Sequence, residues 1–442
     1  MKNRFLSSLC LGLSLAILLP PAQGSDSPSH PLDPLVLNPD LWTQGVEEVE
    51  AAGKSLGFRW TSTAKDVARS VRPGLTLGGH PLNEALVRLR DGRVSGVTVI
   101  YFNRGDSGEL SEREFDKLLE TLRGTISTLA GKPPVERGRD ASSAVRAEGL
   151  VWDTPAAKYV LEWSVTKGSK TKQIPFRAEF VRLKIQPPGS EERPIGFAGE
   201  RGGAREAVKK FVGRDHVVRA SGDVKLKDLP MVDQGQKGYC VVASVERVMR
   251  YYGAEVDQHE LAQIANSDAS KGTSVSAMIE SLKRLTARLG VKTRSLYDWD
   301  IDDFLKMVDD YNRAAKRKKA REIVLGGMVI DVDEVFKKID PEIYKEIRMK
   351  KSADFSKFQR EIQRSIDEGI PLLWSVRLGL VKEREIPQAF GGHMRLITGY
   401  NTTTGEILYS DSWGMGHEEK RMPVADAWTI TMGLNSLQPL GS

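Results

Sequence analysis

The sequence predicts an α+β protein in which antiparallel strands pack on helices. Three observations predict it. Val87–Phe102 alternates as two strands around Asp91-Gly92, the dipeptide suited to a type I′ hairpin turn. Ser111-Glu-Arg-Glu114 is a capping box opening a helix with Phe115, Leu118, Leu119, Leu122, Ile126 and Leu129 on one apolar face. Past residue 230, helical spacing gives way to short apolar strand runs near the C-terminus.

In chain order, residues 1–24 read as a secretory signal peptide. Lys2 and Arg4 form its positive end, Phe5 to Leu19 its apolar run, and Ala22-Gln-Gly24 a small-x-small cleavage site. The expected location is therefore exported, with no membrane-spanning segment after signal removal. Residues 25–40, rich in Pro and Ser, are expected to be a flexible leader. An N-terminal α+β domain is expected over 41–185, with strands at Gly149–Trp152, Lys158–Val165 and Pro175–Ile185 following the helix. Residues 186–205, rich in Pro, Gly and charge, read as a linker. The second domain is 206–442. Its role is legible in the residues below. That of the first is not, and substrate docking, a protein or cell-envelope partner, and blockage of a cleft until the linker is cut all stay open.

Within the second domain, Val241, Val242, Val245, Val248, Met249 and Tyr252 recur at helical spacing, and Gly253 is a stop. Helices are expected at Asp257–Ala265, with His259 on a solvated side, and at Ala277–Leu289. The charged stretch 300–368 reads as solvated helix faces, its Lys316–Lys319 run included, or as an insertion shaping a cleft. Ile370–Arg377 is a buried-type strand and Gly379–Phe390 a loop. Strands at His393–Tyr400 and Glu406–Ser410 follow, then a last strand at Ala427–Met432.

Composition excludes several classes. Of 442 residues two are cysteines, and loss of Cys10 with the signal leaves Cys240 alone, so no internal disulfide can form. The net charge of +6 falls to +4 without Lys2 and Arg4, and the charges are mixed, which gives no case for nucleic-acid binding. No cofactor fingerprint and no metal-ligand cluster stands out by spacing.

An unpaired cysteine in an exported chain is a small buried hydrophobe, an intermolecular bridge or a reactive group. Its surroundings favour the last. Cys240 follows the glycine-bearing loop Asp233-Gln-Gly-Gln-Lys-Gly-Tyr239 and opens a helix, where unpaired N–H groups and the dipole favour a thiolate. His393 opens a strand, and Asp411 lies 18 residues on, at the end of the returning strand, so a hairpin can set imidazole beside carboxylate. Gln234, six residues before Cys240, can donate to an oxyanion, and Gln236 competes for that role. Trp413 can cover the His–Asp pair or simply pack, and Tyr239 can line a cleft or fill a pocket.

Gln-x5-Cys, Gly-His opening a strand, and an Asp-Ser-Trp-Gly turn together resemble the papain-like cysteine peptidases, in their bacteriocin-processing (double-glycine leader) branch, over about residues 225–432. The resemblance implies a two-lobed domain, a helical lobe carrying Cys240 and an antiparallel sheet lobe carrying His393. It implies a peptide or protein substrate and no cofactor. Cys240 would be the nucleophile, His393 the base and then acid, Asp411 its orienting group, and Gln234 with the Cys240 N–H the oxyanion donors. The interval from Cys240 to His393 is 153 residues, a little beyond the about 130–150 of papain. Acyl transfer to an amine, as in transglutaminases, and an inactive papain-like binding protein are the alternatives.

Overall fold

A computed structural model describes residues 29–137, 147–166, 175–190, 203–235, 238–254, 256–265, 274–326, 330–383 and 390–440. The signal sequence, most of the linker and Gln236 lie outside these residues.

The chain builds two eight-stranded antiparallel sheets and a three-stranded one of His30–Pro31, Leu75–Leu77 and His80–Pro81. Residues 30–36 are therefore not a flexible leader: they supply that strand and the helix Asp33–Val36, and Leu32, Leu35 and Val36 are buried in the N-terminal core. The N-terminal sheet runs, in spatial order, Arg59–Trp60, Val67–Ser70, Glu84–Arg90, Arg93–Asn103, Arg177–Gln186, Lys158–Thr166, Ala147–Asp153 and Val135–Arg137. The expected hairpin forms, and Asp91 and Gly92 both take positive φ (51° and 74°), as a type I′ turn demands. The capping box also forms: Ser111 Oγ accepts from Glu114 N, and the helix Glu112–Ala130 ends at Gly131 in the left-handed conformation. Its buried Phe115, Leu122 and Ile126 face one side of the sheet with Leu150, Trp152, Leu161, Val181 and Leu183.

The other side of that sheet is also buried. Ala147, Val151, Val160 and Phe180, alternate with those just named, join the core that contains Cys240 and its helix. Two charged residues on the same face, Glu162 and Arg182, are buried as well and meet partners across the junction. Arg182 Nε donates to Glu162 Oε2 at 2.7 Å, Nη1 lies 3.1 Å from Asp257 Oδ1, and Nη2 pairs with Glu260.

The C-terminal sheet runs Val217–Ala220, Asp223–Leu226, Gly391–Asn401, Leu372–Leu378, Thr431–Pro439 and Val291–Tyr297, with Glu406–Ser410 and Lys420–Pro423 branching from Gly391–Asn401. The helix Cys240–Tyr251 packs on the strand Gly391–Asn401, as does Ser352–Asp367. The charged stretch 300–368 forms helices Ile301–Arg317, Val332–Lys338, Pro341–Met349 and Ser352–Asp367. Their Phe304, Tyr311, Phe336, Tyr344, Phe358 and Ile362 enter the same core, which leaves most of the charges outside; Arg348 is the buried exception. The last strand differs from expectation. Val424–Ile430 is a helix, and the strand is Thr431–Pro439, because Trp428 packs against Phe358 and donates from Nε1 to Arg348 O at 3.0 Å. The helix Gln258–Ile264 forms, but His259 is buried at its start instead of solvated. Among the described residues no helix is long and apolar enough to cross a membrane.

Phe180, 1 % exposed at the junction of the sheets, tests this shared core. Phe180→Ala is expected to cost about 3–5 kcal/mol, read as a lower urea midpoint at unchanged slope. An unchanged midpoint would mean that the junction contributes nothing.

Candidate active site

The site begins with the loop that enters the cysteine helix. Asp233 Oδ1 accepts from Gly235 N at 2.8 Å, and Gly235 takes φ +69°, which turns the chain. Gln234 is fixed against the segment beyond Asp411: its N–H donates to Ser412 O at 2.8 Å, and Ser412 Oγ donates to Gln234 Oε1 at 2.6 Å. That contact orients the amide with its NH2 end as the donor end. Gln236 lies outside the described residues.

Cys240 is the first residue of its helix and is 5 % exposed. Tyr239 precedes it as N-cap residue without a side-chain cap, so the first N–H groups of the helix meet no capping side chain from that position. Tyr239 is 2 % exposed and fills a pocket, which settles the choice left by the sequence.

His393 is the third residue of Gly391–Asn401 and lies opposite Val376. Its Nε2 donates to Asp411 Oδ1 at 2.7 Å. Cys240 is the ring's other polar neighbour, close enough to favour its charged form. The fold thus brings Cys240 and Asp411 to the same imidazole, and Gln234 beside the residue after Asp411. Burial alone lowers the imidazole pKa. The Asp411 charge and hydrogen bond, with the Cys240 contact, outweigh that and carry it to about 9. Asp411 is fully buried; burial raises its pKa, but His393 and Arg395 reverse this and hold it below the ordinary carboxylate value. Trp413 stacks on the imidazole, with centroids 4.6 Å apart and planes 22° from parallel.

Three contributors escape the sequence reading. Arg395 donates from Nε to the second Asp411 oxygen at 2.9 Å and from Nη1 to Glu383 at 2.8 Å, and its guanidinium lies 4.8 Å from the Tyr409 ring centroid. Arg395 stands two residues after His393, so strand alternation puts both on one face, and that signal was available. Ser412 sits beside Asp411 in the sequence, but its bond to Gln234 joins residues 178 apart. Arg247, on the cysteine helix, donates from Nη2 to Ser410 Oγ at 2.5 Å and from Nε to Pro230 O at 2.9 Å.

Among the described residues, one group with metal-ligand chemistry does assemble, from positions too distant for spacing to reveal. Glu84, Asp106 and His259 bring ligand atoms within 4.8 Å of one another. Glu84 is already paired with Arg69 at 2.6 Å, and His259 Nδ1 with Asp257 at 2.8 Å. A guanidinium on one ligand opposes a cation there, so the group reads as an ion-pair network.

Residues 272–434 match the model of the Peptidase_C39 like family. The matched span holds His393 and Asp411 and begins after Gln234 and Cys240. The match supports the resemblance to papain-like, C39-like cysteine peptidases and points to a cysteine peptidase-like enzyme. No curated protein matches the chain.

The imidazolium also links folding to pH. Its pKa is raised from 6.5 to about 9 by folding, so its contribution is complete below about 6.5 and is lost as pH rises through about 9. Thermal unfolding of the wild type should therefore lose stability across that window, and Asp411→Asn should lose less. Parallel pH dependences in the two proteins would rule this out.

Proposed function

We propose that this chain is an exported cysteine peptidase that hydrolyses peptide bonds through Cys240, His393 and Asp411. The observation that carries the reading is the buried imidazole that bonds Asp411 through Nε2 and has Cys240 as its other polar neighbour.

The chemistry follows from these positions. The Cys240 thiolate attacks the scissile carbonyl carbon, and the carbonyl electrons move to oxygen. The Cys240 N–H at the helix start and the Gln234 NH2 group donate to that oxyanion. The imidazolium, held charged by Asp411, passes its proton to the departing amine as the C–N bond breaks, and a thioester remains. Neutral His393 then takes a proton from water, whose oxygen attacks the thioester. The C–S bond breaks, the acid product leaves, and the Cys240 thiolate and His393 imidazolium are restored. Asp411 keeps the ring in one orientation throughout, while Arg395 keeps Asp411 ionised. Trp413 covers the pair, and the low exposure of Cys240 and His393 strengthens each charge interaction by excluding water. In this reading the helix of Cys240 and the strand of His393 are the two lobes of a papain-like domain over 206–442. The segment 1–24 directs export.

Two measurements test it. Alkylation of Cys240 by iodoacetamide against pH should run well below the about 8.5 of a free thiol, and His393→Ala should lose that reactivity. Gln234→Ala should lower kcat on a cleavable peptide by about 10²–10³-fold, and Cys240→Ala should abolish turnover. An ordinary thiol profile in both wild type and His393→Ala would refute the reading.

A further inference from the structure

The loop that carries Gln234 to Cys240 is held at both ends by the N-terminal sheet. At its start, Arg69 on Val67–Ser70 pairs with Asp233 Oδ2 at 3.3 Å while its Nε donates to Glu84 at 2.6 Å. The same guanidinium lies against Gly235, where a Cβ would meet Arg69 Nη2 at 2.6 Å. At the other end, Tyr239 Oη donates to Asn103 Oδ1 at 3.2 Å, and Asn103 is 2 % exposed. The Tyr239 ring lies on Gly105, where a Cβ would stand 1.8 Å from its Oη and 2.3 Å from its Cζ. So Gly105 is the seat of the residue next to the nucleophile, and only a residue without a side chain fits there. Two close approaches and two polar bonds, from the strands Val67–Ser70 and Arg93–Asn103 and the helical turn Arg104–Ser107, converge on Asp233, Gly235 and Tyr239, on either side of the nucleophile's incoming loop.

We infer that the N-terminal sheet is a built-in part of the catalytic site, with Arg69, Asn103 and Gly105 as positioning residues for the oxyanion loop. Its second face, buried against the cysteine helix side, makes the attachment permanent. A sheet that only blocked the cleft would need to come away, and here that would expose Phe180, Val160 and Val151 and strip Arg182 of Asp257 and Glu260. Oxyanion donors act only when pre-placed, and an error of about 1 Å costs about 10²-fold in rate. The sheet's task is to supply that placement. This inference rests on the peptidase reading above.

The test uses the full chain and compares wild type, Gly105→Ala, Tyr239→Phe, Tyr239→Leu and the Gly105→Ala/Tyr239→Leu double variant. The readouts are kcat and KM on a cleavable peptide, Cys240 alkylation against pH, and the melting temperature. Gly105→Ala is expected to lower kcat about 100-fold with little change in KM. Tyr239→Phe keeps the ring in its seat and removes the hydroxyl with its bond to Asn103; it should lower kcat about tenfold and tests the inference even if Gly105→Ala does not fold. In the double variant the obstructed ring is gone, so Gly105→Ala should add no loss beyond Tyr239→Leu, a non-additivity that general destabilisation does not produce. If folded Gly105→Ala and Tyr239→Phe turn over at the wild-type rate or faster, the sheet is a bystander or a cover and the inference is overturned. If wild type shows no turnover and only ordinary thiol reactivity, the peptidase reading falls, and the inference falls with it.

Discussion

The buried pair of His393 and Asp411 is the constraint on which the rest of the site depends. An imidazolium and a carboxylate taken out of water are costly, and removing one partner of such a pair costs about 3–5 kcal/mol. The protein meets the cost by satisfying both oxygens of Asp411. His393 takes one at 2.7 Å and Arg395 the other at 2.9 Å, and the Asp411 N–H donates to His417 O. Arg395 in turn is shared with Glu383 and lies over Tyr409. The pair is thus part of a closed polar network, walled by Trp413 on one side and by the cysteine helix on the other. A carboxylate fixed by a guanidinium cannot swing away from the ring, which keeps the imidazole orientation independent of its protonation state.

The second constraint is a sheet buried on both faces. An antiparallel sheet usually keeps one face for water, and its strands then alternate apolar and polar. Here Leu150, Leu161 and Val181 face the sheet's own helix, and Val151, Val160 and Phe180 face the cysteine helix side. Near-continuous apolar runs in the strands Ala147–Asp153 and Lys158–Thr166 are the sequence signature of that arrangement. The polar residues on the inward face, Glu162 and Arg182, are neutralised by each other and by Asp257 and Glu260 across the junction. The junction is therefore ionic as well as apolar, and it fixes which part of the helical region the sheet can meet.

Local structure was largely legible in the sequence. The Asp91-Gly92 turn, the Ser111 capping box, the Gly253 stop and the Cys240 helix each depend on residues within a few positions of one another. Their geometry follows from backbone sterics and caps. Where reading failed, a distant partner decided. His259 has the spacing of a solvated residue, and its burial comes from Asp257 beside it and from Tyr239 and the N-terminal sheet above. The segment 427–430 has strand-like composition, yet it is helical, with Trp428 packed against Phe358 and under the Arg348 guanidinium, 4.0 Å from the ring.

The same division holds for the candidate site. The sequence by itself determined the chemical inventory: one cysteine at a helix start, a histidine opening a strand, an aspartate at the end of the returning strand and a glutamine on the incoming loop. Those assignments need only period, turns and counting. Tertiary structure alone decided that His393 turns Nε2 to Asp411, that Arg395 holds the far oxygen, that Ser412 locks Gln234, and that Asn103 and Gly105 seat Tyr239. The last of these joins residues 136 apart. No local preference encodes such contacts. They exist because two sheets bury a common face, and burial leaves each polar atom one place where it can be satisfied.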